Sequence, residues 1–595
     1  MLRKYAPPQN AKKGGAPSVC PCVFVRVPSV SVRVSVCPCV RVTMSKLSSA
    51  SENISVLLSE QAAAQPRVAA VYFPESRDHS GRVAYTHLTF QQLHERSDFY
   101  AWGMRGIGVC PGQKALLMIR PSLDFYSLIF AIFKIGAVPV LIDPGMGWKN
   151  FLRCVQAMEP ETFLGIPAAH ALRLLKKKYF RSVKINITLG KRRFWGGYSL
   201  AELPGKNEPY PIHASSPDAL AAVLFTSGST GPAKGVSYTH RIFSTQVNIL
   251  RREYGIQPGE MDLACFPLFS LFSLALGAAV VIPDMDPSKP AFVDPKHILE
   301  PLQDLPVTYS FGSPALWNHV SRYACEKQLR LPGLRRIIMA GAPVPAEVHE
   351  RLLHQLLEPG AETYTPYGAT EALPIANFRG SEMLAETREA SLAGKGTCVG
   401  KPIPEIKSKI IAITDAPITS MQDCQELPPG QIGELCVSGP CVTSEYYKQP
   451  EATQLAKIKD DEQKVWHRVG DVGYFDKQGR FWFCGRKSHR VEITGESGPQ
   501  TLFSIPCEAI FKQIPGVRRS ALVGIGERPR QVPAIIIETE KDQAPSKEQV
   551  LAAAAANPLT SAIRQVYFHP AFPVDVRHNA KINREELALW ASQQK

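Results

Sequence analysis

Apolar and polar residues alternate along this chain in two distinct rhythms. Residues 53–65 carry a helical pattern and residues 68–73 the period of a strand. A helix opens at 88–93 with Thr89 as its N-cap, and a strand covers 115–119. Residues 125–135 form an apolar helix ended by Gly136, and 138–142 a strand stopped by Asp143 and Pro144. A buried strand at 219–225 continues the alternation, which runs to about residue 380 and predicts a layered α/β body with parallel sheet. From residue 395 the rhythm shortens to strands at 407–413, 433–438, 471–475 and 480–484, a smaller β-rich subdomain. Beyond Arg486 follow a helix at 506–513, strands at 520–523 and 534–538, and a basic segment at 577–584. We therefore expect an α/β chain in three parts: an extension over 1–43, a large N-terminal domain over 44–487 and a small α+β C-terminal domain over 488–595.

Composition adjusts this picture in three places. A chain of 595 residues is too long for one core. Its 14 cysteines do not form a disulfide scaffold; the ten beyond residue 100 are scattered singly, which suits a reducing, cytoplasmic compartment. The longest apolar run, 263–283, is broken by Pro267, Ser270, Ser273 and Gly277, so it reads as buried core and pocket wall and not as a transmembrane segment. The net charge of +15 invites a nucleic-acid reading, yet residues 1–43 hold seven Lys or Arg and no acid, nearly half the excess. In the remainder acids and bases are read as interspersed, no nucleic-acid-binding signature accompanies them, and no nucleic acid is expected as a partner. Within 1–43 the unit Ser-Val-Cys-Pro-Cys-Val occurs twice, from Ser18 and from Ser35. A metal-binding segment, a transit peptide and a disordered or spurious extension before Met44 compete, and the last is preferred.

Four motifs carry candidate chemistry. In Thr226-Ser-Gly-Ser-Thr-Gly-Pro-Ala-Lys-Gly235, glycines let the backbone approach a ligand, hydroxyls and amides crowd donors together, and Lys234 supplies a mobile counter-charge. Such a loop suits a polyphosphate; it is not a Walker loop, because Gly235 follows the lysine, and the competing reading is a flexible linker. In Tyr367-Gly-Ala-Thr-Glu371 an aromatic can stack on a purine, a hydroxyl can meet a phosphate and a carboxylate can hold Mg²⁺; alone, the pentad is a turn leading into a helix. Asp471, between two glycines at the start of a strand, can bond both hydroxyls of a ribose, or is a turn aspartate. Lys581 ends a basic segment and on its own reads as a solvated charge.

In this order, over roughly residues 50–590, the motifs resemble those of the acyl-adenylate-forming superfamily of AMP-dependent synthetases and ligases. The resemblance implies ATP and Mg²⁺ as cofactors. It implies a phosphate loop of Thr226, Ser227, Gly228, Ser229, Thr230, Gly231 and Lys234, with Thr230 and Glu371 at the metal. Gly341, Ala342 and Pro343 resemble the adenine-side loop; Tyr367 would flank the adenine, with Gly368 next to it in the nucleotide site, and Thr370 would contact the α-phosphate, while Asp471 would bond the ribose hydroxyls and Arg486 would reach the ribose or phosphate. Ser488 resembles the hinge about which a mobile C-terminal domain rotates, and Lys581 the lysine which that domain swings in as a catalytic group beside Thr230 and Glu371. Ala580 replaces the family's usual glycine before this lysine.

Departures narrow the branch. Acyl-CoA ligases resemble Pro-Leu-Phe-His where this chain has Pro267-Leu-Phe-Ser270, and the Lys and Gly-Gly turn that help shape a pantetheine tunnel are replaced over 491–499. Segments 283–291, 466–471, 483–490 and 576–581 instead resemble the olefin-biosynthesis β-lactone synthetases. That implies a long-chain 2-alkyl-3-hydroxy fatty acid as substrate, whose own 3-hydroxyl attacks the acyl-adenylate. It also implies assembly with a pathway reductase and hydrolase and peripheral association with a membrane. The alternatives are a fatty acyl-CoA ligase and an inactive lipid-binding scaffold. The acyl pocket is sought over 266–277, 309–317 and before Tyr367, where Phe266, Phe269, Phe272 and Trp317 are core or substrate wall. His240 and His489 are considered as bases for the hydroxyl, and neither is assigned.

Overall fold

A helix apolar on every side cannot sit at a surface, and Leu123–Ile135, apolar all round but for Asp124, Ser127 and Lys134, does not: every residue from Phe125 onward is buried. It lies with the helix Phe90–Gly106 between two sheets, and one core joins Leu128, Ile129 and Ile132 to Val71, Val280 and Tyr309 of one sheet and to Ala115, Leu117 and Leu164 of the other. The computed structural model describes residues 53–143, 146–226, 233–495, 498–540, 543–575 and 581–594. The reading of residues 1–43 lies outside them.

The helix boundaries follow local chemistry. Thr89 caps the helix Phe90–Gly106 through a capping box with Gln92, and Gly136, at φ 78°, ends Leu123–Ile135 in the left-handed conformation that glycine tolerates. The first sheet has nine strands, with a parallel centre formed by Glu362–Ala369, Arg336–Met339, Tyr309–Gly312, Met261–Ala264, Ala279–Val281 and Ala69–Arg77. The second has seven, running from the edge strand Tyr198–Ser199 to the antiparallel hairpin Leu220–Thr226 and Lys234–Thr239. Helices Pro295–Asp304 and Pro314–Glu326 cover the outer face of the first sheet, and Trp148–Met158 that of the second. The fold is α/β, as the alternation implied.

The β-rich part is a six-stranded sheet in which Val465–Phe475 lies between Gly433–Ser438 and Phe481–Arg486. Asp471 is therefore in the middle of a long strand and not at its start, which corrects the sequence reading: Gly473 pairs within the ladder, and Gly470, at φ 75°, falls where the register with Gly433–Ser438 shifts. After the 3₁₀ turn Lys487–His489 comes the hairpin Val491–Gly495 and Gly498–Leu502. A three-stranded sheet of Val517–Ile525, Val532–Thr539 and Gln565–Phe568 follows. Ile535 and Ile537 face one small core and Ala534 and Ile536 another, so both faces of this sheet are covered. Among the described residues no helix is long and apolar enough to cross a membrane.

One charged group is set inside the main core. Lys134, fully buried, donates through Nζ to Asp98 Oδ1 and, at 3.1 Å, to the carbonyl of His94. Burial lowers its pKa to about 8 against the pull of Asp98. Breaking such a pair leaves an uncompensated charge, whereas removing both partners does not. Lys134→Met alone should cost about 3–5 kcal/mol, and adding Asp98→Leu should recover most of it. Urea denaturation of the single and double variants measures both.

Candidate active site

The carboxyl ends of parallel strands form a natural crevice, because loops leave all of them on one side. Here Met339 leads into Gly341, Ala342 and Pro343, with Gly341 at φ 94°, and the neighbouring strand Glu362–Ala369 ends in the Tyr367–Glu371 motif. The motif is the turn of a β-hairpin, closed by Ala372–Arg379, and no helix follows it. Tyr367, which precedes Gly368, donates from its hydroxyl to Asp471 Oδ2 at 2.6 Å. Across the ladder Asp471 pairs with Arg486, whose Nη1 lies 2.9 Å from Asp471 Oδ1. Three residues from separate motifs thus meet in one cluster. Burial beside the carboxylate pushes the Tyr367 phenol well above its ordinary range, and Asp471 raises the Arg486 guanidinium further.

The exit strand of the glycine-rich loop reaches the same place. Tyr238, on Lys234–Thr239, donates to the carbonyl of Thr370 at 2.6 Å. The main chain of Gly235 accepts from Tyr447 at 2.7 Å, and Val236 bridges to Tyr446. Ser227, Gly228, Ser229, Thr230 and Gly231 lie outside the described residues; Thr226 closes the strand before them.

Glu371 is buried and accepts from the Tyr446 hydroxyl through Oε1 at 2.7 Å, while its carbonyl is held by the main chain and hydroxyl of Thr443. The ammonium of Lys234 stands 4.8 Å from the centre of the Tyr446 ring, a cation–π contact. Lys457 is also buried here and donates to the carbonyl and hydroxyl of Thr443. Burial lowers its pKa to about 7, although Glu371 pulls the other way. A carboxylate with one oxygen committed to a phenol and the other without a hydrogen-bond partner among the described residues suits Mg²⁺, which takes one or two carboxylates besides phosphate oxygens and water. Sequence reasoning missed Tyr238, Tyr446, Thr443 and Lys457. They belong to no local motif, and a lysine in an alternating segment gives no sign that it is buried.

The acyl side is mostly aromatic. Phe269 stacks on Phe311 at 3.9 Å, and Phe266 and Phe272 flank the pair while keeping part of their surface open. Trp317 is fully buried in the outer core across the sheet, so it is core and not substrate wall. Ser270 is no open gate: Tyr126 Oη lies 2.6 Å from its Oγ, which donates to the carbonyl of Pro267. Behind it Asp262, dehydrated within a strand, accepts from Ser273 at 2.7 Å, and burial raises its pKa to about 7.

Two further sequence candidates are placed elsewhere. His240 Nδ1 accepts from the Ile54 main chain at 3.2 Å and its ring meets Phe133, with burial lowering its pKa to about 4; it is a neutral packing residue. His489 follows Ser488 in the 3₁₀ turn, its side chain 6% exposed, with Nε2 3.5 Å from Glu585. Lys581 is exposed and its main chain pairs with Asp575.

Residues 58–447 match the model of the AMP-binding enzyme family. An olefin beta-lactone synthetase of Stenotrophomonas maltophilia is 44% identical over 91% of this chain and 98% of its own length. One from Xanthomonas campestris pv. campestris is 43% identical over the same shares. A long-chain-fatty-acid–CoA ligase of Escherichia coli O6:H1 is 25% identical over 78% of this chain and 83% of its own. Among solved structures, the amide bond synthetase McbA of Marinactinospora thermotolerans has a TM-score of 0.73 at 21% identity, over 91% of this chain and 99% of McbA. ATP-bound MatB of Rhodopseudomonas palustris has the same TM-score at 18% identity over the same shares, and both likenesses bear on the fold alone. The chain belongs to the AMP-binding enzyme family and is an adenylate-forming ligase of it.

Proposed function

We propose that this enzyme activates a long-chain 2-alkyl-3-hydroxy fatty acid and closes it to a β-lactone. The carboxylate attacks the α-phosphorus of ATP, pyrophosphate leaves, and an acyl-AMP remains. The substrate's own 3-hydroxyl then attacks the acyl carbonyl, its proton is lost, and AMP departs as the four-membered ring forms. The observation that carries this reading is the identity of 44% over nearly the whole length of a protein named for that activity.

The site chemistry supports the first half. Asp471, held between Tyr367 and Arg486, would bond the ribose hydroxyls. Thr370 and Lys234 would meet the phosphates, and Glu371 would hold Mg²⁺ with Thr230. Bound there, the ion would offset charge developing on the phosphate oxygens. Lys581 would enter when the domain from 488 onward turns about Ser488. Catalysis of this kind is positioning and electrostatics and needs no protein nucleophile. The second half draws on Ser270, held by Tyr126, at the sequence position where the resemblance puts a histidine in CoA ligases. An internal hydroxyl held against the carbonyl makes an external acceptor unnecessary.

A fatty acyl-CoA ligase is the competing reading, favoured by the likeness to the Escherichia coli enzyme. With ATP, Mg²⁺ and a 3-hydroxy fatty acid, mass spectrometry should find lactone and AMP without CoA; strict CoA dependence rejects ring closure and leaves adenylation standing. Lys581→Ala should lower pyrophosphate exchange by about 100-fold or more, with ATP binding by calorimetry retained. Tyr446→Phe frees one oxygen of Glu371 from its phenol. It should raise the Mg²⁺ concentration for half-maximal exchange by about 10-fold or more.

A further inference from the structure

The charge outside the first 43 residues is not evenly spread. Residues 162–201 hold nine lysines and arginines and no acid. They form the far edge of the seven-stranded sheet: the helix Pro167–Leu175, the 3₁₀ turn Lys177–Tyr179, and the loop between the edge strands Ile185–Thr188 and Tyr198–Ser199. The flanking acids are already engaged, Glu161 by Lys114 and Glu202 by Arg192. Among the described residues Lys176, Lys177, Lys178, Lys191 and Arg193 are exposed and have no acidic partner.

Two large apolar side chains stand out of this basic surface, Leu175 at 80% exposure and Phe194 at 84%. Their presentation is built in. Trp195, next to Phe194, turns inward, stacks on His170 at 5.4 Å and donates from Nε1 to Thr188 Oγ1 at 3.0 Å. Arg173, on the helix, donates to the Trp195 carbonyl at 3.2 Å. The loop is thereby pinned to the helix, and Phe194 has its neighbour's anchor without its burial. An exposed aromatic on a pinned loop costs free energy in water, and bases packed around it would repel one another.

Both costs are relieved by one surface. We propose that this edge docks on an anionic lipid bilayer, with Leu175 and Phe194 entering the boundary between headgroups and acyl chains and the surrounding bases meeting the headgroups. Bases with exposed Phe and Leu are the composition of interfacial anchors. A nucleic acid satisfies the charge but not an isolated leucine. The docked edge is separated from the strand Leu220–Thr226 by four strands, roughly 25 Å at ordinary strand spacing. The crevice thus remains off the membrane plane.

The test is co-sedimentation of the full chain with vesicles of phosphatidylglycerol and phosphatidylcholine, or of phosphatidylcholine alone. Binding should require phosphatidylglycerol and fall steeply as salt rises from about 0.1 M to 0.5 M. Lys176→Glu, Lys177→Glu and Lys178→Glu combined should weaken it about 100-fold or more, and Phe194→Ser alone about 10-fold. Circular dichroism and unchanged pyrophosphate exchange confirm that the variants are folded. Equal binding by both variants, no binding to anionic vesicles, or preferential retention of the parent chain by a single-stranded oligonucleotide would each overturn the proposal.

Discussion

The hydrogen bond from Tyr367 to Asp471 joins the α/β body to the β-rich sheet at the point where a nucleotide would lie. Asp471 faces Arg486 because their strands pair in that register, and Tyr367 meets them because its hairpin turns at the carboxyl end of the first sheet. A shift of one residue in the first ladder would send the Asp471 carboxylate to the opposite face, and one in the second would do the same to Tyr367. The glycine-rich loop, the hairpin motif and Asp471 are far apart in sequence. They act together only because this register holds.

Much of this was legible along the chain. Thr89, Gly136 and the strand over 433–438 announced their elements through capping, φ requirement and apolar period. The ordered motifs pointed to the nucleotide site because their residue types match its chemistry. What could not be read was tertiary. Tyr446 and Lys457 reach Glu371 and Thr443 through a bridge to Val236 and a ladder that no local pattern encodes. Trp317 was ambiguous for a related reason: strand and helix periods tell which residues are buried, not which of two cores receives them. His240 looked available only because its partner, the main chain of Ile54, is remote in sequence.

The buried polar groups divide by what they face. Lys134 and Asp98 satisfy each other within the main core and leave nothing for a ligand. Glu371, Tyr446 and Lys457 are all buried and joined in series: the Tyr446 phenol donates to the carboxylate, and the Lys457 ammonium, 5.9 Å from the centre of the phenol ring, is held by a carbonyl. Such an arrangement is stiff, since moving the carboxylate would uncover dehydrated donors behind it.

The contact from the Tyr238 hydroxyl to the Thr370 carbonyl has a mechanical meaning. Tyr238 belongs to the strand that leaves the glycine-rich loop, and Thr370 to the turn that carries Glu371. A pull on the loop is conveyed through one short strut to the carboxylate's own backbone. The exit strand of the loop and the turn that carries Glu371 are thereby geared to a single lever, so neither can shift without the other registering it.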